Sequence, residues 1–334
     1  MSDQSLLRIG ILSTAHLHAD SYAHVLRQTT GATLAGLWDD DAERGSAKAA
    51  EYGTTFEADL DRLLQNCDGV VICAENARHR ELTLAAAQAG RHVLCEKPLA
   101  TSSSDARAMV DACAQAGVLL GTAFPVRHSS SLQSLRNAVQ AGTLGRVLMI
   151  RGTNRGTNPG SWFVDKALSG GGAVTDHTVH IVDVVRFVTG EEITSVYAEA
   201  DTRFYPDLGV EDCGLLIMQL SGGGIFSLDP SWSRPNQAFP TWGDATMELT
   251  GTAGVARFDY TAQHSRLYSN SRVRAAQLGW GENGDALMVA DFVEAIREGR
   301  APLASGEDGL RAVEVVEAAY RSIQQSQVAE VAHV

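Results

Sequence analysis

The chain has 334 residues, which at about 100 to 200 residues per domain favours two domains. Its 27 Lys and Arg residues against 40 Asp and Glu residues give a formal charge of -13, which disfavours binding to nucleic-acid phosphates or to anionic membrane surfaces. With 44% hydrophobic and 20% charged residues, the composition is that of a globular protein and excludes a disordered or fibrous chain.

The sequence shows no sign of export or of membrane insertion. No apolar run approaches the roughly 18 residues that span a bilayer, and Asp3 and Arg8 interrupt the N-terminal apolar stretch. The cytoplasm is therefore the expected compartment. The cysteines lack C-x-x-C pairing and are expected to be structural thiols; they are Cys67, Cys73, Cys95, Cys113 and Cys213.

In the first 124 residues, strand-like apolar runs alternate with helical patterns. Helices are predicted over residues 19–28, 42–52, 79–89 and 104–116, and continuous apolar segments lie before, between and after them. This alternation predicts a doubly wound parallel sheet of the Rossmann type. Gly53, Gly90 and Gly117 follow the last periodic residues of three helices, where a left-handed cap is favoured.

Residues 125–334 have a different pattern, which predicts a second domain of the α+β class. Helices are predicted over residues 131–140, 172–189, 285–297 and 306–322, with a strand over residues 145–152. Two pairs of apolar segments predict antiparallel hairpins. Each pair is joined by a glycine-containing turn, 221–224 or 251–254. The predicted domains are therefore 1–124 and 125–334.

The turn after the first strand lacks the expected glycines. A dinucleotide-binding fingerprint reads G-x-G-x-x-G, whereas this chain has Ser13-Thr14-Ala15-His16-Leu17-His18. The helix that begins here still favours a phosphate through its amide groups and dipole. Ser13 is able to form a turn, and Ala15 adds only a methyl group at the point of close approach.

The second strand ends in Asp39-Asp40-Asp41, about 25 residues further on. An acidic group at this position accepts hydrogen bonds from the adenosine ribose hydroxyls and disfavours a 2'-phosphate, which predicts NAD rather than NADP. The alternative is a solvated acidic turn that caps the next helix.

The fourth strand leads directly into Cys95-Glu96-Lys97-Pro98. Ligands of open α/β sheets bind outside the carboxyl ends of the strands, so Lys97 is expected at a ligand site. A lysine there is able to stabilise a developing alkoxide. The alternative is a surface lysine at the end of a strand.

The helix predicted over residues 172–189 carries Asp176, His180 and Asp183 at positions i, i+4 and i+7. These side chains are expected on one polar face, opposite an apolar stripe. His180 suits a general base, because its ordinary pKa lies near neutral pH, and Asp176 is one turn away. The alternative is an ordinary exposed helix face.

Four motifs follow one another along the chain: Asn76-Ala77-Arg78-His79, Glu96-Lys97-Pro98, the G-G-G-x-x-x-D-x-x-x-H-x-x-D helix that begins at Gly170, and Ser305-Gly306-Glu307-Asp308-Gly309. In this order they resemble the Gfo/Idh/MocA oxidoreductase family, over essentially the whole chain. The resemblance implies a Rossmann domain and a second domain with a large, mostly antiparallel sheet. It also implies a homo-oligomer, dimer or tetramer, formed through that sheet, and NAD(P)-dependent hydride transfer on a sugar, cyclitol or related polyol.

The resemblance also implies roles for individual residues. Lys97, Asp176 and His180 match the catalytic set: His180 removes the hydroxyl proton, Lys97 stabilises the alkoxide and Asp176 positions the substrate. The residues expected to contact the cofactor are Ser13, Thr14, Ala15, His16, Asp39, Asn76, His79, Glu96 and Lys97.

Substrate contacts are expected from the turn-rich segment 152–163 and from the catalytic helix. The candidates are Arg155, Asn158, Trp162 and His177. The alternative for the segment 152–163 is a structured surface loop. His177 stands where the family usually has an apolar residue. Asp212 and Trp232, on the predicted antiparallel strands, are further candidates for the same cleft. Alternation does not decide which face of a strand they occupy.

The histidines at positions 16, 18, 177 and 180 raise the question of a metal ion. Polar contacts to substrate or phosphate are favoured over metal binding, because the sequence specifies no closed tetrahedral site. No metal is therefore expected.

The leading hypothesis is an NAD-dependent sugar or polyol dehydrogenase. One alternative is an enzyme that recycles its NAD within a redox-neutral glycoside cleavage or epimerisation. The other is a non-catalytic dinucleotide or sugar sensor, which the altered first loop suggests.

Overall fold

The computed structural model describes residues 5–239, 241–262, 264–267, 276–279 and 281–334. The chain divides into two compact units, Met1–Pro125 with Asn283–Leu310, and Val126–Glu282 with Arg311–Val334. Residues 283–310, which the sequence pattern assigns to the second domain, thus pack with the first unit. Among the helices that the structure describes, none combines the length and apolar character needed to cross a bilayer.

The elements are numbered in chain order. The strands are β1 (Leu7–Leu12), β2 (Ala32–Trp38), β3 (Gly69–Ile72), β4 (His92–Cys95), β5 (Leu120–Thr122), β6 (Val147–Thr153), β7 (Ile193–Asp201), β8 (Cys213–Leu220), β9 (Ile225–Asp229), β10 (Thr246–Gly251), β11 (Val255–Asp259), β12 (His264–Leu267), β13 (Ala276–Gly279) and β14 (Ala329–Glu330). The α-helices are α1 (Ala19–Leu26), α2 (Ala42–Tyr52), α3 (Leu60–Gln65), α4 (His79–Gln88), α5 (Ser103–Ala116), α6 (Ser130–Gln140), α7 (Lys166–Ser169), α8 (Ala173–Thr189), α9 (Gly284–Glu298) and α10 (Gly306–Gln325).

The first unit contains a parallel sheet with the strand order β2-β1-β3-β4-β5. An isolated parallel bridge between Leu37 and Phe56 extends this sheet beyond β2. All residues of β3 are buried, as expected for a strand that is covered on both faces. The predicted doubly wound sheet is confirmed.

The core of the first unit includes a helix from late in the chain. Tyr22 and Leu26 of α1 belong to the same buried cluster as Val289 and Phe292 of α9. This shared apolar surface explains why residues 283–310 belong with the first unit, since its burial favours the packing of α9 on α1.

The predicted ends of the helices agree with the backbone. Gly53 and Gly117 are left-handed C-caps of α2 and α5, with φ of 66° and 68°. Gly90 also has a positive φ of 73°, one residue beyond the cap of α4. The helices that the pattern missed, α3 and α7, have only six and four residues.

The second unit contains a seven-stranded sheet with the order β11-β10-β6-β9-β8-β7-β14. Neighbouring strands are antiparallel except β6 and β9, which are parallel. The predicted hairpins, β8 with β9 and β10 with β11, are confirmed. The expected large and mostly antiparallel sheet is therefore present.

Helix α8 packs closely on one face of this sheet. A Cβ atom at Gly152 of β6 would lie 2.9 Å from Cγ2 of Ile181, so the glycine provides the space that Ile181 occupies. The other face carries partly exposed apolar side chains, which include Leu215, Ile217 and Ile225.

Candidate active site

The turn after β1 keeps the backbone conformation of a glycine without containing one. Ser13 has a φ of 66°, in the left-handed region that the first fingerprint glycine ordinarily adopts. The Ser13 Oγ accepts a hydrogen bond from the Ala15 N–H at 3.2 Å. The tight turn that was expected from Ser13 is therefore formed.

Backbone amides of this loop are bonded within the protein. The Thr14 N–H donates to Oδ2 of Asp39 at 2.8 Å, and the His16 N–H donates to the Cys73 carbonyl at 2.9 Å. The His18 N–H donates to Nδ1 of His16 at 3.2 Å. In a glycine-rich loop, amides at these positions serve a bound phosphate.

Asp39, which follows β2, has a completely buried carboxylate. Its Oδ2 accepts from the Thr14 hydroxyl at 2.7 Å and from Nε of Arg44 at 3.1 Å, and its Oδ1 accepts from Nη2 of Arg44 at 2.6 Å. Although burial alone would raise the pKa of Asp39, Arg44 and Thr14 lower it. The carboxylate that was expected to bind ribose hydroxyls is thus already surrounded by donors from its own chain.

The two aspartates that follow Asp39 differ from it. Asp40 is 42% exposed and pairs with Nη1 of Arg78 at 2.6 Å and with Nη2 of Arg44 at 3.1 Å. Asp41 is the N-cap of α2 and accepts from backbone amides of its first turn. The capping alternative therefore holds for Asp41. The carboxylate of Asp40 is more accessible than that of Asp39.

Glu96, directly after β4, is a completely buried carboxylate surrounded by donors. Its Oε1 accepts from the Tyr22 hydroxyl at 2.5 Å and from Nδ1 of His18 at 2.9 Å. Its Oε2 accepts from the Lys97 N–H at 3.0 Å and lies 3.8 Å from Nε2 of His16. Burial alone would raise the pKa of Glu96, but His16, His18 and Lys97 lower it well below its usual range.

His16, His18 and Glu96 place three potential metal-ligating atoms within 4.8 Å of one another. Nδ1 of His16 accepts the His18 N–H, so a neutral His16 carries its proton on Nε2, the atom near Glu96. A metal ion requires a ring nitrogen without a proton, and metal-bound histidines ordinarily donate from their other nitrogen. The hydrogen-bond pattern therefore fits a proton-linked cluster better than a metal site.

The remaining candidates of the first unit also follow the carboxyl ends of parallel strands. Lys97, after β4, is 5% exposed, and Asn76, after β3, is 4% exposed. His79 is fully buried, with Nδ1 3.0 Å from the Pro98 carbonyl and Nε2 3.2 Å from the Ala74 carbonyl. The ring of His79 therefore connects the segments that follow β3 and β4, and burial lowers its pKa.

In the second unit, the glycine residues before α8 allow the chain to pack closely against neighbouring segments. The N–H groups of Gly172 and Val174 donate to Oε1 of Glu211 at 3.0 and 3.1 Å, and the Tyr320 hydroxyl donates to the same oxygen at 2.7 Å. A Cβ atom at Gly172 would lie 2.0 Å from the Glu211 carbonyl oxygen. The start of α8 is thus capped by a partly buried acid, and desolvation raises the pKa of Glu211.

Asp176, in the first turn of α8, has an organised environment. Its Oδ2 accepts from Nε1 of the fully buried Trp232 at 3.1 Å and lies 3.2 Å from Nε2 of His177. Nδ1 of His177 bonds the Pro230 carbonyl at 3.0 Å. The two ring nitrogens of His177 therefore connect Asp176 to the Pro230 carbonyl.

The polar row predicted on α8 is correct for two of its three members. Asp176 and His180 are one turn apart and partly exposed. Asp183 is instead fully buried, with its two oxygens 2.8 and 2.6 Å from Nε and Nη2 of Arg127. The expectation that Asp183 lies on the accessible face was wrong, because Arg127 covers this part of the helix and supplies the charge partner.

The loop after β6 lies beside His177. A Cβ atom at Gly156 would come within 2.4 Å of Cε1 of His177, so the glycine permits this close approach. Arg155 pairs with Asp244, with its Nη2 3.1 Å from Oδ2. The structure therefore brings Arg155 and His177 into one region of the second unit.

The other candidates of this region have contacts that hold the backbone. Oδ1 of Asn158 accepts the Gly160 N–H at 2.8 Å within a turn, and Trp162 is buried and stacks on Phe163 at 3.9 Å. Asp212 is fully buried and accepts backbone N–H groups of residues 203–205. The suggestion that Asp212 faces the cleft is therefore wrong, whereas Trp232 does contact Asp176.

Several residues that build these arrangements were not singled out from the sequence. They are Tyr22, Arg44, Glu211 and Tyr320. Arg44 follows Asp39 by five residues, so its position was a signal, and His18 was considered from the sequence only as a possible metal ligand. The other contacts depend on tertiary structure.

The geometry of the first unit defines its class. With the bridge at Phe56, the strand order is that of a Rossmann fold, with polar loops at the carboxyl ends of the central strands. Residues 7–124 match the family model described as an oxidoreductase family with an NAD-binding Rossmann fold, and residues 132–257 match the GFO/IDH/MocA C-terminal domain. The chain belongs to the GFO/IDH/MocA family of NAD-binding oxidoreductases, which confirms the family indicated by the sequence motifs.

Relatives and solved structures cover nearly the whole chain. The chain is 31% identical to the 1,5-anhydro-D-fructose reductase of Ensifer adhaerens over 91% of its own length and 92% of that protein. It is 25% identical to the myo-inositol 2-dehydrogenase of Thermotoga maritima, over 96% of its own length and 97% of the relative. The crystal structure of GenD2 from gentamicin A biosynthesis, in complex with NAD, superposes with a TM-score of 0.89 at 26% identity, over 98% of this chain and 97% of that one.

Proposed function

We propose that this protein is an NAD-dependent dehydrogenase that oxidises a secondary hydroxyl of a sugar, cyclitol or related polyol, or catalyses the reverse reduction. The observation that carries the proposal is the pair of partly exposed groups on one face of α8, Asp176 and His180, with Asp176 held by Trp232 and His177. The names of the two relatives, a sugar reductase and an inositol dehydrogenase, support net hydride transfer over redox-neutral catalysis or sensing.

The residues of each unit suit separate tasks in such a reaction. His180 takes the hydroxyl proton, and Asp176 orients the hydroxyl through the oxygen that does not face Trp232. Lys97 stabilises the alkoxide as charge develops on it. Nicotinamide, when bound, supplies the acceptor for the hydride.

His177 acts as a positioning residue for Asp176 in this proposal. Its ring is 6% exposed and lies between the Pro230 carbonyl and Asp176. This contact fixes the direction of the Asp176 carboxylate, which leaves its other oxygen an acceptor for a substrate hydroxyl. Arg155 lies beside this pair, while Asn158 and Trp162 shape the loop that carries it.

The first experiment concerns Lys97. Lys97→Met should lower kcat by about 100-fold or more, as expected when one stabilising donor of a developing oxyanion is removed, with the fold intact. Formation of reduced nicotinamide is followed by absorbance with myo-inositol and a panel of sugars, and circular dichroism monitors the fold. Lys166→Met, which changes an exposed lysine of α7, is the control. Wild-type turnover by Lys97→Met, or wild-type protein that oxidises none of the panel and reduces no keto sugar, contradicts the proposal.

NAD is the proposed cofactor in preference to NADP. Asp39 and Arg44 neutralise each other, and the nearby Asp40 carboxylate is accessible, which is unfavourable for a 2'-phosphate. Asp39→Ser releases the Arg44 guanidinium and should improve the affinity for NADPH relative to NADH by about tenfold, or about 1.4 kcal/mol. Fluorescence titration measures both affinities, and Asp41→Ser, which keeps a capping side chain, is the control. Tighter binding of NADPH by the wild type contradicts the preference.

The second unit is proposed to form a homo-oligomer through the open face of its sheet. Leu215, Ile217 and Ile225 are about half-exposed there, and Met149 lies opposite Ile225 in the sheet. Sedimentation velocity should show a dimer or tetramer, and Ile217→Lys should shift it towards monomer, because a charge on an apolar interface is costly to bury. Gln140→Lys, which changes an exposed residue at the end of α6 and not the sheet, is the control. A wild-type monomer at micromolar concentration contradicts this proposal.

A further inference from the structure

Most backbone amides of the loop that is expected to bind the cofactor pyrophosphate already have acceptors within the protein. The amides of Thr14, Ala15, His16 and His18 already donate to protein acceptors. In this fold the pyrophosphate lies at the start of the first helix and ordinarily takes hydrogen bonds from such amides. A chain that binds the dinucleotide here therefore needs another donor at the same place.

His18 is the side chain in a position to supply it. It stands directly before α1, at the third glycine position of the fingerprint, and its side chain is 32% exposed. Nδ1 bonds Glu96 at 2.9 Å, while Nε2 has no partner among the described residues and is not enclosed. The buried carboxylate thus fixes the ring through one nitrogen, and the second nitrogen has no acceptor among the described residues.

The electrostatics of this position favour an anion. The start of a helix carries partial positive charge, which by itself disfavours an imidazolium. Glu96 offsets that effect by contact with Nδ1 of His18. An anion close to Nε2 would meet both the imidazolium and the helix dipole, and charge-assisted hydrogen bonds are about twice as strong as neutral ones.

We infer that the protonated His18 ring binds the pyrophosphate of the dinucleotide through Nε2, so that cofactor binding is coupled to the protonation of this residue. The inference rests on the proposed NAD-dependent function and adds a binding residue and a pH dependence to it. It concerns the cofactor loop of the first unit only.

The groups that face His18 set the direction of the pH dependence. Burial disfavours the charged form of His18, as does Lys97, but Glu96 and Asp285 favour it, and the net effect raises the pKa of His18 above the ordinary value. Tyr22 and His16 also contact the ring, and burial and Glu96 raise the pKa of Tyr22 well above the physiological range. Affinity is therefore highest at low pH and falls as the pH rises through the pKa of His18.

The test is the affinity for NADH and for ADP-ribose, which keeps the pyrophosphate and lacks nicotinamide, as a function of pH. The wild-type dissociation constants should rise by about tenfold between about pH 6.5 and 8.5, the range above the ordinary histidine pKa. In His18→Gln the affinity at low pH should fall to the value that the wild type has at high pH. The affinity of this variant should also lose most of its dependence on pH. His24→Gln, which changes an exposed histidine of the same helix, should behave as the wild type.

A second measurement covers the case that His18→Gln does not fold. The titration of His18 in the wild type, followed by histidine NMR, should move to higher pH when ADP-ribose is added, because bound anion stabilises the charged ring. Glu96→Gln should move the His18 titration to lower pH, since it removes the adjacent charge.

The outcomes separate this inference from the proposed function. Tight NADH binding that is independent of pH and unchanged in His18→Gln overturns the inference and leaves the dehydrogenase proposal standing. Absence of NADH and NADPH binding by the wild type at every pH overturns both. Stoichiometric Zn²⁺ binding that is lost in His18→Gln, together with pH-independent affinity for ADP-ribose, would make the cluster a metal site instead.

Discussion

A carboxylate buried without solvent keeps its charge only where donors surround it, and Glu96 imposes this requirement on the first unit. Tyr22 and His18 supply two hydrogen bonds, and the backbone of Lys97 supplies a third. These contacts join the loop after β1 and helix α1 to the end of β4. The geometry of the cofactor loop and the start of the Lys97 segment therefore depend on the same buried charge.

The second unit applies the same physical solution to Asp176. His177 and Trp232 face one oxygen of this carboxylate, and His177 also bonds the Pro230 carbonyl. His18 stands at a fingerprint glycine position, and His177 stands where the family usually has an apolar residue. Each of these substitutions places an imidazole beside an acid of a family motif, where the ring contacts one oxygen of that acid.

The order of elements was predictable from sequence because apolar periodicity and helix caps are local. The parallel sheet, the two hairpins and helix α8 all follow from such signals, as do the left-handed caps at Gly53 and Gly117. The packing of α9 in the first unit was not predictable, because it depends on apolar contacts between segments more than 250 residues apart, such as Tyr22 and Phe292.

The candidate site shows the same division between local and tertiary information. Helical spacing correctly placed Asp176 and His180 one turn apart, but it did not reveal that Arg127 covers Asp183. The acid run after β2 was recognisable, yet which of its carboxylates is enclosed depends on Thr14 and Arg44. Spacing along one helix or strand predicts which face a side chain occupies. The contacts of that side chain depend on other elements that are distant in the sequence.

The loop after β1 shows how a binding turn is able to keep its shape while its chemistry changes. Ser13 retains the left-handed backbone, so the chain still turns sharply into α1. Acceptor side chains then occupy the amides: Ser13 and His16 of the loop itself, and Asp39 after β2, accept the N–H groups of the loop. Amides bind phosphate at any pH, whereas an imidazole does so as a cation only when protonated. Replacement of glycine by histidine therefore keeps an anion site compatible with this fold only if a buried acid such as Glu96 holds the ring in its charged form.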